Sequence, residues 1–69
     1  MNLSRYDLNL LAAFMTLFET RSVTRAAQQL GASQPTMSRM LARLRQDFGD
    51  PLFVRRGMAL QPTPRAEAL

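Results

Sequence analysis

The chain has 69 residues, nine Lys or Arg against five Asp or Glu, a formal net charge of +4 and 46% hydrophobic content; that is room for one small domain with a marginal core, and too apolar for intrinsic disorder. Cys and His are both absent, which excludes a disulfide framework, a thiolate or imidazole zinc site, a Ser-His or Cys-His nucleophile pair and a near-neutral imidazole base. No catalytic residue, metal or cofactor is therefore expected, and the basic excess, all of it arginine, is the first functional hint, because a planar guanidinium grips phosphates and guanine edges bidentately.

Ser4-Arg5-Tyr6-Asp7 reads as a capping box that opens the first helix. From Asp7 to Thr20, Leu8, Leu11, Phe14, Met15 and Phe18 recur at helical spacing, and Leu10 and Leu17 widen the stripe onto a second flank. A helix apolar on two sides is either the central helix of a small bundle or meets another subunit along part of that flank. The second helix opens at Ser22 and turns Val23, Ala26, Ala27 and Leu30 inward, with Arg25, Gln28 and Gln29 facing away; Gly31 ends it. Ser33 caps the third helix and Pro35 fits its first turn, where an N–H is not needed. Met37, Met40, Leu41, Leu44 and Phe48 make its apolar stripe, and Gly49 and Pro51 stop it. Leu52-Phe53-Val54 suits a strand, Arg56-Gly57 a turn and Met58-Ala59-Leu60 a returning strand. Pro62-Thr63-Pro64 breaks this hairpin, and Thr63 caps a further helix that the sequence leaves after one turn, so a longer protein of which this is the N-terminal part is expected.

The order helix, helix, tight turn, helix, hairpin predicts a mostly α fold, a winged helix-turn-helix. The turn is Gly31-Ala32-Ser33, with the small Ala26 and Ala27 before it and Met37 and Met40 after it. Taking about 100° per residue along the third helix, Arg39 lies almost opposite the Met37, Leu41 and Leu44 stripe, flanked by Pro35, Ala42, Gln46 and Arg43, with Gln34 and Ser38 on one shoulder and Thr36 on the other. A long forked donor between short residues can reach base edges in a major groove about 12 Å wide, the Gln34 amide can address adenine, and the helix N-terminus favours a phosphate. The competing reading of Arg39 is a solvated arginine paired with Asp47 or Asp50. Arg55 and Arg56, placed at the hairpin tip, suit the backbone or the minor groove, or merely keep an exposed hairpin soluble. Ser22, Thr24 and Arg25 open the second helix, where they either touch phosphates or only cap and solvate it.

Ser22-Val23-Thr24-Arg25-Ala26-Ala27, Leu30-Gly31-Ala32-Ser33-Gln34-Pro35-Thr36-Met37-Ser38-Arg39, Leu44, Phe48-Gly49-Asp50-Pro51-Leu52-Phe53-Val54-Arg55 and Pro62-Thr63-Pro64-Arg65-Ala66 closely resemble the DNA-binding domain of LysR-type transcriptional regulators. The resemblance runs from Leu8 onward. It implies that Gln34, Pro35, Ser38 and Arg39 face the major groove and Arg55 the minor groove. It divides the chain into a winged helix-turn-helix domain, 1–62, and the start of a linker and dimerisation helix, 63–69. It further implies a C-terminal domain that senses a small-molecule effector, and homodimers or dimers of dimers on interrupted inverted repeats of double-stranded DNA.

No apolar run reaches the roughly 18 residues of a membrane span and the N-terminus lacks a signal-peptide pattern, so a soluble cytoplasmic protein, associated with the nucleoid through DNA and with no membrane partner, is expected. The second function class is a protein-interaction module that uses the same faces together with the apolar first helix. An enzyme is disfavoured because Ser, Thr and Tyr lack any imidazole or amine base.

Overall fold

The computed structural model describes residues 5–69; the cap expected at Ser4 lies outside them. The elements in chain order are α1 (Arg5–Thr20), α2 (Val23–Leu30), α3 (Gln34–Phe48), β1 (Phe53–Arg56), β2 (Ala59–Pro62) and α4 (Pro64–Ala68). The fold is therefore mostly helical, a winged helix-turn-helix of three helices, a two-stranded antiparallel hairpin and a short final helix. Among the described residues no helix is long and apolar enough to cross a membrane.

Local signals set most of the boundaries. Ser22, Ser33 and Thr63 each take an extended backbone and accept a hydrogen bond from the N–H three residues on, capping α2, α3 and α4. Gly31 ends α2 at φ 65, with its N–H on the Gln28 carbonyl and the Ala32 N–H on the Ala27 carbonyl. This reciprocal closure satisfies the last carbonyls and needs a left-handed residue, which an L side chain adopts only at a cost of about 1–2 kcal/mol. The chain accepts that cost at Arg21, φ 56, just past the end of α1. There the guanidinium donates through Nε to the Phe18 carbonyl at 2.8 Å and sits 5.2 Å from the centre of the Phe18 ring.

Helix α1 is the hub, packed against both α2 and α3. Its buried stripe is Leu10, Ala13, Thr16 and Leu17. The expected stripe is displaced: Leu11 and Met15 are each 55% exposed, while Phe14 and Phe18 are only partly buried. The flank of Leu10, Ala13 and Leu17, not the more regular one, faces the bundle. In α2, Ala26 and Ala27 are buried as expected, but Val23 is half-buried and Leu30 exposed. In α3, Met37, Leu41 and Leu44 are buried, Met40 half-buried and Phe48 exposed.

The hairpin is rooted through Phe53, fully buried, whose ring lies 5.6 Å from Phe14 and 6.4 Å from Phe18. Its register pairs Phe53 with Pro62, Val54 with Gln61, Arg55 with Leu60 and Arg56 with Ala59. The two-residue turn is thus Gly57-Met58, one residue later than the expected Arg56-Gly57, with Gly57 at φ 60 supplying the left-handed position. Leu52 stands before the strand, not in it: it is fully buried at φ 64, inside a γ-turn closed by the Phe53 N–H on the Pro51 carbonyl at 2.6 Å. Asp50 holds that turn, accepting from the Leu52 N–H at 2.8 Å and from the Thr63 hydroxyl at 2.7 Å.

Candidate nucleic-acid interface

The outward side of α3 is prepared by its own first turn. Ser33 Oγ accepts from the Thr36 N–H at 3.2 Å and donates to Thr36 Oγ1 at 2.9 Å; Arg39 Nη2 donates to the same Thr36 oxygen at 3.3 Å. The cap therefore also steadies the guanidinium that projects from the helix. One donor of the Arg39 fork is engaged and the rest face solvent, so bidentate recognition stays open to it. Gln34, Pro35 and Ser38 are exposed, and among the described residues the side chains of Gln34 and Ser38 take no intramolecular hydrogen bond. Arg39 pairs with neither Asp47 nor Asp50, the alternative that its sequence position left open. Asp47 instead accepts from Arg43 Nε at 3.0 Å, an exposed i, i+4 ion pair, and Asp50 faces the hairpin root.

The wing separates its two arginines. Neither is at the tip as expected: the tip is Gly57 and Met58, and Met58 is 98% exposed. Side chains alternate along a strand, so Arg55 shares the face of Phe53 and Leu60 while Arg56 shares that of Val54 and Ala59. Both are exposed, and Arg55 is the one on the face turned toward the helices. At the start of α2, Ser22 Oγ is occupied as a cap by the Arg25 N–H at 3.2 Å, with Thr24 and Arg25 exposed beside it.

Two arginines that local sequence does not single out hold this arrangement. Arg45, on α3, donates through Nε to the Pro51 carbonyl at 2.8 Å and through Nη2 to the Phe53 carbonyl at 2.9 Å. The Arg21 carbonyl accepts from the Leu60 N–H at 2.9 Å. The Asp50 carboxyl is held below the ordinary carboxylate range, chiefly by the Thr63 hydroxyl, then by the Leu52 N–H, with Arg65 adding to it. Among the described residues no cluster of His, Cys, Asp or Glu could hold a metal ion.

The family model described as "Bacterial regulatory helix-turn-helix protein, lysR family" matches residues 8–67. The chain is 53% identical over 68 residues to the HTH-type transcriptional regulator SyrM 2 of Sinorhizobium fredii (strain NBRC 101917 / NGR234), a match covering 99% of this chain and 20% of that protein. It thus spans about a fifth of the length of the curated relatives it matches. Among solved structures, the probable transcriptional regulator PA0477 from Pseudomonas aeruginosa superposes with a TM-score of 0.87 at 48% identity, over 90% of this chain and 21% of that one. BenM DBD in complex with catB site 1 DNA superposes at 0.82 with 31% identity, over 88% of this chain and 68% of that one.

Proposed function

The chain belongs to the lysR family of bacterial regulatory helix-turn-helix proteins, and from that premise we propose that it binds double-stranded DNA sequence-specifically to control transcription. In this reading α3 enters the major groove. Arg39 and Gln34 address base edges, while Pro35, Thr36, Ser38 and Arg43 line the helix surface against the groove walls. Arg55 reaches the minor groove beside it, Arg56 the flanking backbone, and Ser22, Thr24 and Arg25 meet a phosphate at the start of α2. The reading needs no metal, cofactor or catalytic residue, and it places the protein in the cytoplasm on the nucleoid. Residues 1–62 are the binding domain. Helix α4, opened at residue 63, begins the linker that pairs subunits and leads to an effector-sensing domain, so that the whole protein binds an interrupted inverted repeat as a homodimer or dimer of dimers.

The observation that carries the proposal is the outer side of α3: an exposed, cap-steadied guanidinium among small and polar side chains, opposite the buried Met37, Leu41 and Leu44. The likeness to a structure solved with DNA supports it. A single module of this kind covers roughly 600–1,000 Å² of protein surface on DNA, so the chain alone binds weakly, and linking two copies restores affinity through a millimolar effective concentration. The test is selection of bound duplexes from a random pool, followed by affinity measured against salt. With about five phosphates neutralised, log affinity falls with log salt at a slope near −4 to −5. A slope near zero, or an unenriched pool, overturns the proposal. The exposed Leu11 and Met15 on α1 favour a second reading, a protein-binding face, which the absence of any duplex binding at low salt would support.

A further inference from the structure

The hairpin is tied down along both of its outer edges. The Thr63 N–H bonds to the Leu52 carbonyl at 2.8 Å, so the adjacent pair Phe53–Pro62 is one whose own N–H and C=O groups point away from the partner strand. Pro62 therefore loses no ladder bond for want of an N–H, and the Phe53 carbonyl faces outward from β1. Arg45 meets it there at 2.9 Å while its second donor holds the Pro51 carbonyl at 2.8 Å. Two residues along, the pair Arg55–Leu60 has the same orientation, so the Leu60 N–H faces outward from β2, and the Arg21 carbonyl takes it at 2.9 Å. One edge is thus fixed to α3 by a forked side chain, the other to the end of α1 by main chain. On α3, Arg45 lies on the same shoulder as Ser38 and Gln34, about two and three helical turns away.

We propose that Arg45 is a positioning residue for DNA recognition: its fork, spanning the carbonyls of Pro51 and Phe53, sets the angle of the wing to α3 and so where the wing lands on the duplex relative to the base-reading helix. This rests on the DNA-binding reading above. Arg45 itself touches no nucleic acid; its charge is spent on two main-chain oxygens. A lysine cannot take its place, because a single ammonium does not span two carbonyls as a planar fork does.

The absence of Cys from the chain allows a direct test. An M58C substitution puts one thiol at the fully exposed wing tip, to which an iron–EDTA cleavage reagent is attached, and cutting is mapped on the duplex that the chain selects from a random pool. The expected result is a focused cluster of cuts in the M58C parent. That focus is lost in both M58C/R45K and M58C/R45M, while thermal unfolding by circular dichroism and enrichment of the same core bases are kept. If R45K cuts as sharply as the parent, charge and not the fork matters and the proposal falls. If both variants fail to fold, Arg45 serves stability at large and the proposal falls as well. No selected duplex, or no cutting by the parent, defeats the DNA-binding reading itself, whereas a sharp parent with equally sharp variants defeats only the role of Arg45.

Discussion

Helix α3 and the wing each present an exposed arginine, by opposite means. In α3 everything that orients Arg39 is within six residues: Ser33 caps, Thr36 relays, and the buried Met37, Leu41 and Leu44 fix the helix rotation. In the wing, the orientation of Arg55 depends on partners distant in the chain, Phe14 and Phe18 against Phe53, Arg45 and Arg21. Its placement follows from Phe53 in the aromatic cluster, Leu52 in a strained turn, and outward bonds to Arg45 and Arg21. A helix carries its own hydrogen bonds and turns as a rigid rod, while a lone two-stranded ribbon is at best marginally stable and takes its direction from what it is bonded to. Helix α3 is thus robust to change elsewhere, and the wing is the part whose placement distant residues can alter.

The largest expected effect tests the roots of the two regions. F53A removes the ring that seats the wing and costs about 3–5 kcal/mol, as much as a core of this size supplies, so urea or thermal melting shows an unfolded chain; a cooperative fold surviving with near-parental stability would mean that the wing is not part of the core. Next in size, R39A lowers affinity by about 1–3 kcal/mol and relaxes preference at one base position, read by competition among single-base variants of the selected duplex; an equal loss on every sequence would reduce Arg39 to a phosphate contact. The wing pair is expected to split. R55A weakens binding most on A·T-rich flanks with a narrow minor groove, whereas R56A, on the other face of the ribbon, lowers affinity evenly and reduces the salt slope by about one; identical profiles would break the face assignment. The smallest effect lies at the joint between the two regions. The Asp50 carboxyl is lowered in the fold, so its bonds stabilise the protein above the ordinary carboxylate value of about 3.9 and that contribution is lost as pH falls below it toward the lower folded value. D50N should flatten this acid limb by lowering the melting temperature at neutral pH toward the value that the parent reaches in acid, where the two converge.

Much of this architecture is legible residue by residue. The caps at Ser22, Ser33 and Thr63, the stop at Gly31, the turn between α2 and α3, and the isolation of Arg39 opposite a buried stripe all follow from rules that act over one or two helical turns, and the structure has each of them. What the linear pattern misplaces are choices between surfaces. Leu11 and Met15 look as inward as Leu10 and Leu17, and only the packing of α1 against α2 and α3 decides which flank is buried. Arg21 and Arg45 look like any surface arginine. Their roles arise because the register of β1 with β2 turns particular carbonyl and N–H groups outward, toward residues as far apart in the chain as Arg21 and Leu60. Sequence by itself determined the helices, their ends and the face that α3 offers. The tertiary structure alone decided which flank of α1 is covered and where the wing is aimed, because those depend on hydrogen bonds and contacts between segments that no local periodicity encodes.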